Sequence, residues 1–299
     1  MQYHMLTLCI LCLAVFCAGT VFGLKACQAA RGKFYIVGMG TAPDLITIRG
    51  VEVIRSADII LVGNEQEREL WNVYTRNKEV WYCPDWIRIL YGIDPLAQED
   101  PQRRALSERG ALARKELAGK IRSAVEQGKT VVFLQAGDPM MHGLTLLLEI
   151  LPKEIPAEVV PGVGAFQAAS AALKMSPPYG YDTSAVILTM ADWPGRADAN
   201  EKLMTAGSTM VFYTMLLDYP KVFSQLQRHY PVDTPVAVVV NAGDHGNQRI
   251  IQSSVGRFLK DVDYRSLPVE NHILFVGKFL EAGQVRKDFV PQTEGEHTK

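Results

Sequence analysis

The sequence predicts an α/β fold in two domains, for three reasons. With 299 residues, of which 48% are hydrophobic, the chain is long enough for two cores. Short β-branched and apolar runs alternate with amphipathic stretches, which is typical of a mostly parallel sheet covered on both faces. The proline-marked stretch LPKEIPAEVVPG, residues 151–162, indicates the crossing between domains. We therefore predict α/β domains at residues 32–158 and 159–283, followed by a polar tail at 284–299.

The first domain alternates strands and helices in order. Phe34–Val37 reads as a strand that meets glycine at once, and Leu45–Ala57 has helical spacing. ADIILVG then supplies a second buried strand. Ala105–Gln127 has apolar residues at three- to five-residue spacing and ends at Gly128, so we predict an amphipathic helix there. The run TVVFLQ follows as another strand.

The second domain begins with a helix of small residues, AFQAASAALKM. Four runs rich in valine, isoleucine and aromatic residues follow, and each predicts a strand. These runs are SAVILT, STMVFYTM, PVAVVV and HILFVG, the last ending near Gly277.

The first 31 residues contain an uncharged apolar run, Leu6–Leu24. As a helix it would be about 28 Å long, roughly the thickness of a bilayer's hydrocarbon core. Basic residues follow the run at Lys25, Arg31 and Lys33, and none precedes it, which favours a body on the cytoplasmic side. We therefore predict one N-terminal transmembrane helix and hinge, with localisation at the inner membrane. A cleaved signal peptide is the alternative.

Charge and cysteine content exclude several classes of function. The formal net charge of −1 provides no polycationic surface for nucleic-acid phosphates, so we expect a small-molecule partner and no nucleic acid. Four cysteines lie in the first 27 residues and only Cys83 lies in the body, which indicates a reducing compartment. No spacing of Cys and His predicts a metal site.

Glycine-rich loops follow the predicted strands. In open α/β sheets, ligands bind beyond the carboxyl ends of strands, and glycine lets a ligand approach the backbone. We therefore expect a ligand that is recognised mainly by main-chain groups. The loops are GMGTAPD, AGDPMMHG, PGVGAF, YTM and NAGDHG.

Two common glycine motifs do not match. GMG is half of a dinucleotide-binding GxGxxG, but Pro43 stands at the third glycine, and Asp58 begins the second strand rather than ending it. No GK[ST] follows any glycine cluster, which excludes a P-loop.

Taken in order, five stretches resemble the tetrapyrrole methylase family of S-adenosylmethionine-dependent methyltransferases. The resemblance runs from Phe34 to about Leu280. It rests on VGMGTAPDLIT, GDPMMHG against a GDPxxYG-like loop, VVPGVGA, TMVFYTM against TLVFYM, and PVAVVVNAGDHGNQRII. Each motif alone is weak, but five in the same order are specific.

The resemblance implies two α/β domains of this family's type, with S-adenosylmethionine folded in the cleft between them, and a homodimer. It implies cofactor contacts by either Thr41 or Pro43 in the first loop and by either Thr214 or Met215 after TMVFY. Ala242 or Gly243 matches the late loop. The remaining cofactor positions that it implies are Ala136, Gly137, Asp138, Met141, Gly164 and Ala165.

Three ionisable residues in these loops are candidates for chemistry. Asp138 is expected to make a polar contact to the cofactor, and the alternative is a turn-forming aspartate before Pro139. His142 occupies the family's tyrosine position and is a weak catalytic candidate, as is His245 in the late loop. Both histidines are more simply explained as lining or packed side chains.

The acceptor is less well specified than the cofactor. The uroporphyrinogen-III methylases carry an aspartate after the second strand and a lysine about twenty residues later. Here Gly63 stands at the aspartate position and WYCPDW lacks the lysine, so the site is more like the cobalt-precorrin enzymes. Aromatic residues at Trp71–Tyr91, interleaved with basic ones, suit either a macrocycle platform or core packing.

From these features we predict an enzyme, an S-adenosylmethionine-dependent methyltransferase that C-methylates a precorrin-like or other tetrapyrrole. The alternatives are a non-tetrapyrrole acceptor on the same fold and a non-catalytic sensor that binds the cofactor or a porphyrin at the membrane. The catalytic residue stays open.

Overall fold

The structure, a computed structural model, describes residues 32–83, 87, 99–141, 146–179, 185–193 and 196–281. The chain forms two compact units, residues 1–163 and 164–299. Both are α/β, as the sequence predicted. The domain bounds given above stay a prediction.

The predicted N-terminal transmembrane helix is wrong, and so is the inner-membrane localisation derived from it. Within the part of the chain that the structure describes, no helix is both long enough and apolar enough to cross a bilayer. The run Leu6–Leu24 lies outside the described residues. An uncharged run of bilayer length is necessary for a span but not sufficient, because hydropathy alone does not separate a span from other apolar segments.

The first unit contains one parallel five-stranded sheet with strand order β3-β2-β4-β1-β5. β1 lies between β4 and β5, with Phe34 opposite Val131 on one side and Ala157 on the other. The central strands are buried on both faces, because parallel strands are covered by helices on each side. The strands are β1 (Phe34–Gly38), β2 (Ile59–Val62), β3 (Glu79–Tyr82), β4 (Val131–Gln135) and β5 (Ala157–Val160).

Local capping signals begin and end the helices of this unit. Thr47 accepts a hydrogen bond from the Gly50 N–H at the start of α1, and Asp100 caps α4 ahead of Pro101. Gly128, with φ of 86°, follows the end of α4. The helices are α1 (Ile48–Ser56), α2 (Glu65–Leu70), α3 (Asn72–Thr75), α4 (Pro101–Glu126) and α5 (Leu146–Ile150).

The helices that follow β1 and β4 pack on opposite faces of the sheet. Ile54 of α1 joins a core with Val37 and Leu134, whereas Leu147 of α5 joins another with Ile36 and Phe133. Chains that leave adjacent strands towards opposite faces open a crevice at the strands' carboxyl ends, where α/β proteins bind ligands. In this unit that position is the end of β1 and β4.

The second unit contains a mixed five-stranded sheet with order β6-β7-β10-β8-β9. Of the strand pairs in this sheet, β6 and β7 are parallel, whereas β10 pairs antiparallel with both β7 and β8, and β9 pairs antiparallel with β8. The strands are β6 (Val186–Thr189), β7 (Thr209–Tyr213), β8 (Pro235–Val240), β9 (Arg249–Ser254) and β10 (His272–Val276).

One core of this unit lies under α8 and α9 and is rich in aromatic rings. The rings of Phe223 and Phe258 stack with centroids 4.1 Å apart, and both side chains are fully buried. The α-helices are α6 (Ala165–Leu173), α7 (Asn200–Met204), α8 (Tyr219–His229) and α9 (Phe258–Asp261), with 3-10 turns at Tyr264–Ser266 and Lys278–Glu281.

Candidate functional site

The loops after β1 and β4 are joined by a two-way backbone bridge. The Gly137 N–H donates to the Gly40 carbonyl at 2.8 Å, and the Gly40 N–H donates back to the Gly137 carbonyl at 3.3 Å. Both glycines have positive φ, 75° and 68°, which side-chain-bearing residues rarely adopt. The two glycine loops that the sequence singled out are therefore held together.

The turn after β5 packs against the same bridge. A Cβ atom added to Gly162 would lie 2.3 Å from the Gly137 carbonyl oxygen, and one added to Gly38 would lie 2.4 Å from the Gly162 nitrogen. Both distances are well inside van der Waals contact, and both opposing atoms belong to the backbone. The ends of β1, β4 and β5 thus meet through main chain alone.

The two candidates in the first loop differ in environment. The Thr41 hydroxyl is buried and has no hydrogen-bond partner. Pro43 is exposed, and its carbonyl accepts a hydrogen bond from the Tyr74 hydroxyl at 3.3 Å. A buried polar atom without a partner in a loop of this kind is what a bound polar ligand would satisfy.

The residues that follow β4 include one half of this bridge and its neighbours in the chain. Ala136 is exposed, Gly137 forms the bridge, and the Asp138 carbonyl accepts from the Met141 N–H at 3.1 Å. One Asp138 carboxylate oxygen accepts a hydrogen bond from the Met140 N–H at 2.9 Å, which is the turn-forming contact that we gave as the alternative. His142 lies outside the described residues.

In the second unit, the loops after β7 and β8 are both tied to the start of β10. Thr214 is buried, and its hydroxyl donates to the His272 carbonyl at 2.7 Å. The Asn241 N–H donates to the Asn271 carbonyl at 2.7 Å. Because β10 separates β7 from β8, its first residues place the two loops on one edge of the sheet. Met215, next to Thr214, is 43% exposed.

Hydrogen bonds within the late loop surround its glycine. Gly243 has φ of 88°, and its N–H donates to the Gln248 side chain at 2.8 Å, while Ala242 is buried. Hydrogen bonds from Asn247 and Gly246 to the Asp244 carboxylate lower the pKa of that group. His245 is exposed.

Gly164 and Ala165 mark the start of α6. Gly164 is the N-cap residue, its carbonyl accepts from the Ala168 N–H at 3.0 Å, and no side chain caps the helix. The structure thus places Gly164, Ala165 and the loops after β7 and β8 in the second unit, and the other predicted cofactor residues in the first.

A tyrosine–histidine pair, of which Tyr219 is buried and His272 partly buried, lines the same cavity as Thr214. The Tyr219 hydroxyl and His272 Nε2 are 2.6 Å apart, and burial lowers the pKa of His272 and raises that of Tyr219. Both groups line a cavity of about 290 Å³ together with Thr214 and Leu217. The histidine is therefore neutral near pH 7, and sequence reasoning gave it no signal.

Glu67 fills the space beside Gly63 at the end of β2. The Gly63 N–H donates to Glu67 Oε2 at 2.7 Å, and a Cβ at Gly63 would lie 3.0 Å from that same oxygen. A carboxylate is therefore present at this turn, although the residue in the family's aspartate position is glycine. The pair Asn64 and Glu67, three residues apart at the start of α2, is a capping signal that the sequence offered and we did not use.

The aromatic stretch at Trp71–Tyr91 divides between core and surface. Trp71 is buried, and Trp81 packs against the core with Lys120 over its ring at 4.7 Å. Tyr82 is 43% exposed, and its hydroxyl donates to Glu65. Trp86 and Tyr91 lie outside the described residues.

The chain matches the family profile "Tetrapyrrole (Corrin/Porphyrin) Methylases" over residues 33–258. It is 28% identical to the cobalt-precorrin-4 C(11)-methyltransferases of Priestia megaterium and Methanocaldococcus jannaschii. These alignments cover 77% and 83% of this chain and 81% and 88% of those proteins.

A siroheme synthase of Hydrogenovibrio crunogenus is 25% identical over 87% of this chain, which spans only 53% of that longer protein. A solved structure of a cobalt precorrin-4 methyltransferase has the same fold, with a TM-score of 0.67 at 24% identity, covering 85% of this chain and 98% of that one. Since the matched residues include all three glycine loops of the first unit, the chain belongs to the tetrapyrrole (corrin/porphyrin) methylase family.

Proposed function

We propose that this protein is an S-adenosylmethionine-dependent methyltransferase that methylates a carbon atom of a tetrapyrrole, with a precorrin-type acceptor. Membership of the family supports the reaction class. The names of relatives that match most of their own length, the cobalt-precorrin-4 C(11)-methyltransferases, support the acceptor class. The observation that carries the proposal is the meeting of three backbone loops at Gly38, Gly137 and Gly162.

The residues at these loops fit S-adenosylmethionine. Glycines let a ligand approach the backbone closely, and the unpartnered Thr41 hydroxyl supplies a polar atom in need of a partner. The Gly40–Gly137 bridge is followed directly by the Asp138 carboxylate, and no lysine or arginine lies in either loop. A main-chain surface with a neighbouring carboxylate suits a cationic sulfonium nucleoside better than a phosphate.

In this proposal the bound nucleoside supplies an activated methyl group, and the protein supplies position. The bridge fixes Ala136 and Asp138 on either side of Gly137, so these residues would hold the nucleoside in one orientation. In-line placement of an acceptor carbon alone can accelerate transfer greatly. Thr214 or Met215, Ala242 or Gly243, Gly164 and Ala165 are the residues of the second unit that we propose as further contacts.

The turn after β2 favours a precorrin-type acceptor over uroporphyrinogen III. Gly63 replaces the aspartate of the uroporphyrinogen enzymes, and the Glu67 carboxylate that lies beside it is engaged by the Gly63 N–H. WYCPDW also lacks the lysine of those enzymes.

The full-length protein tests the proposal directly. Isothermal titration with S-adenosylhomocysteine should show one site per chain, and Gly162→Ala should abolish it. Incubation with S-adenosylmethionine and either uroporphyrinogen III or cobalt-precorrin-4, without oxygen, should add one methyl group to the precorrin, detected by mass. Tight nucleoside binding with no methylation of any tetrapyrrole would instead favour a sensor. Sedimentation analysis would test the homodimer, which we also propose.

A further inference from the structure

The loop after β6 carries an exposed tryptophan whose role the site described above leaves open. Trp193 is 56% exposed, four residues beyond the end of β6 at Thr189. Large aromatic side chains usually bury most of their surface in a core. A tryptophan held out on a loop is therefore unusual enough to require an explanation.

A buried polar network fixes this loop to the end of β6. Asn200 is fully buried, and its Oδ1 accepts a hydrogen bond from the Thr189 hydroxyl at 2.6 Å. The Asn200 side-chain amide donates to the Met190 carbonyl at 2.8 Å, and its backbone N–H donates to Asp192 Oδ1 at 2.9 Å. Both ends of the loop are thus joined, because Thr189 and Asn200 flank it.

Arg196 completes the network and supports the tryptophan ring. Its side chain is only 7% exposed and donates to Thr189 Oγ1 at 2.9 Å and to Asp198 Oδ1 at 2.8 Å, with Asp192 Oδ1 at 3.4 Å. The two carboxylates neutralise the guanidinium, so the arginine is not arranged to bind an anion. Its Cζ lies 5.0 Å from the Trp193 ring centroid, which is cation–π geometry.

The position of the loop relates it to the proposed cofactor residues. β6 and β7 are parallel neighbours, with Thr189 opposite Phe212, so both strands end at the same edge of the sheet. Trp193 follows β6 there, and Thr214 and Met215 follow β7. Met215 is 43% exposed, and Leu216 is 83% exposed with φ of 60°. Trp193 and Leu216 are therefore exposed apolar side chains at the same edge of the sheet as the residues proposed to hold the methyl donor.

We propose that Trp193 is an acceptor-binding residue that stacks on the conjugated plane of the tetrapyrrole, and that Arg196 is the positioning residue that holds its ring. The inference rests on the proposed function and deepens it. An indole ring held by Arg196 loses little conformational freedom on binding, and the conjugated part of a tetrapyrrole offers a flat face to it. The network around Thr189 and Asn200 explains why the ring stays on the surface instead of collapsing onto the core.

Steady-state kinetics of the full-length protein with the tetrapyrrole acceptor test this. We expect Trp193→Ala to raise KM for the acceptor about three- to tenfold, the range of a ring-stacking contact, and Trp193→Phe to restore most of it. The affinity for S-adenosylhomocysteine should stay within about twofold, because the stacking contact is made to the acceptor. Val232→Ala is the matched control, since Val232 is 63% exposed and precedes β8, at the opposite edge of the sheet.

Arg196→Lys tests the positioning role. It keeps the charge but loses the planar fork, so we expect acceptor KM to rise as in Trp193→Ala, with kcat little changed. The double variant should be no worse than Trp193→Ala alone, because both act through one ring. A purely structural role for Arg196 would instead give additive losses in stability and in both kinetic constants.

Quenching of tryptophan emission by the tetrapyrrole gives a readout that does not need turnover. Wild type should be quenched more than Trp193→Phe on titration. An unchanged acceptor KM in Trp193→Ala, in an enzyme that methylates its acceptor, would overturn this inference and leave the proposed function standing. Trp193-dependent quenching without methylation would overturn the proposed function and leave Trp193 as a residue that binds the tetrapyrrole. Equal quenching of both proteins, with no methylation, would overturn both.

Discussion

In both units, loops are held together at the ends of strands, but by backbone contacts in the first unit and by side-chain hydrogen bonds in the second. In the first unit, the ends of β1, β4 and β5 meet backbone to backbone, with no room for a side chain at Gly38 or Gly162. In the second, side chains hold the loops, with Thr214 bonded to the start of β10 and Asn200 bonded to Thr189. We therefore expect the first unit to be destabilised by substitutions that add a side chain at these glycines. The second unit should be destabilised by substitutions that remove a hydrogen-bonding side chain.

The largest expected effect is that of Gly162→Ala. The added methyl group would lie 2.3 Å from the Gly137 carbonyl oxygen, and no flexible side chain can move aside, so we expect a loss of about 3 kcal/mol or more. Urea denaturation measures it. Gly119→Ala is the control, because its Cβ meets nothing within 4 Å and lies inside α4. There we expect a gain of about 0.5–1 kcal/mol. Equal changes in the free energy of unfolding at Gly162 and Gly119 would show that backbone contact at Gly162 does not matter for stability.

A smaller loss is expected when the second edge loses a partner. Thr189→Val removes the hydroxyl that donates to Asn200 and accepts from Arg196, so the buried Asn200 Oδ1 loses this partner and Arg196 loses one of its hydrogen bonds. We expect a loss of about 2 kcal/mol in the free energy of unfolding. The exposed Thr205, which bonds only its own helix, gives the matched control Thr205→Val, with a change within about 0.5 kcal/mol. If the two valine variants unfold alike, the network does not hold the loop.

Gly63→Asp tests a glycine of the first unit whose neighbour is a side chain, that of Glu67, and not backbone. The new carboxylate would crowd that of Glu67, 3.0 Å from the added Cβ, so we expect a loss of about 1–2 kcal/mol. Adding Glu67→Ala should recover part of it, with a coupling energy of about 1 kcal/mol in a double-mutant cycle. Additive losses would show that the two groups do not compete.

The smallest effect concerns pH. Burial lowers the pKa of His272, so below about pH 6.5 the unfolded chain binds a proton before the folded protein does. Stability contributed by this group is therefore lost as pH falls from 6.5 towards the folded-state pKa, at no more than about 1.4 kcal/mol per pH unit. Denaturation at a series of pH values should show that His272→Gln flattens this slope. An unchanged slope would place the titrating group elsewhere.

Local signals predicted the central strands and the long helix. β1, β2, β4, β6, β7, β8 and β10 all coincide with runs identified in the sequence, because short runs of β-branched and apolar residues are a local signal for strands. The start of α4 was placed too late, at Ala105, because its first turn is polar, although Asp100 and Pro101 mark it. α8, which also begins with an aspartate cap and a proline, is absent from the sequence prediction, although Tyr219, Val222 and Leu226 recur at helical spacing along its buried face.

Non-local features were not accessible from the sequence. β3 is a partly exposed edge strand with no clear alternation, and the insertion of β10 between β7 and β8 depends on pairing across distant residues. The glycine loops were found because glycine at a strand end is a local signal. The network of Thr189, Arg196 and Asn200 was not, because its members follow no period and meet only in the folded loop.

The bridge between Gly40 and Gly137 also bears on binding kinetics. Two loops that are already cross-linked by hydrogen bonds need not close around an incoming nucleoside. In stopped-flow experiments, binding of the nucleoside to these loops should follow a single exponential. Its observed rate constant should rise linearly with nucleoside concentration, without a plateau. The conformational entropy of these two loops would already be lost when the protein folds, so binding would not have to order them.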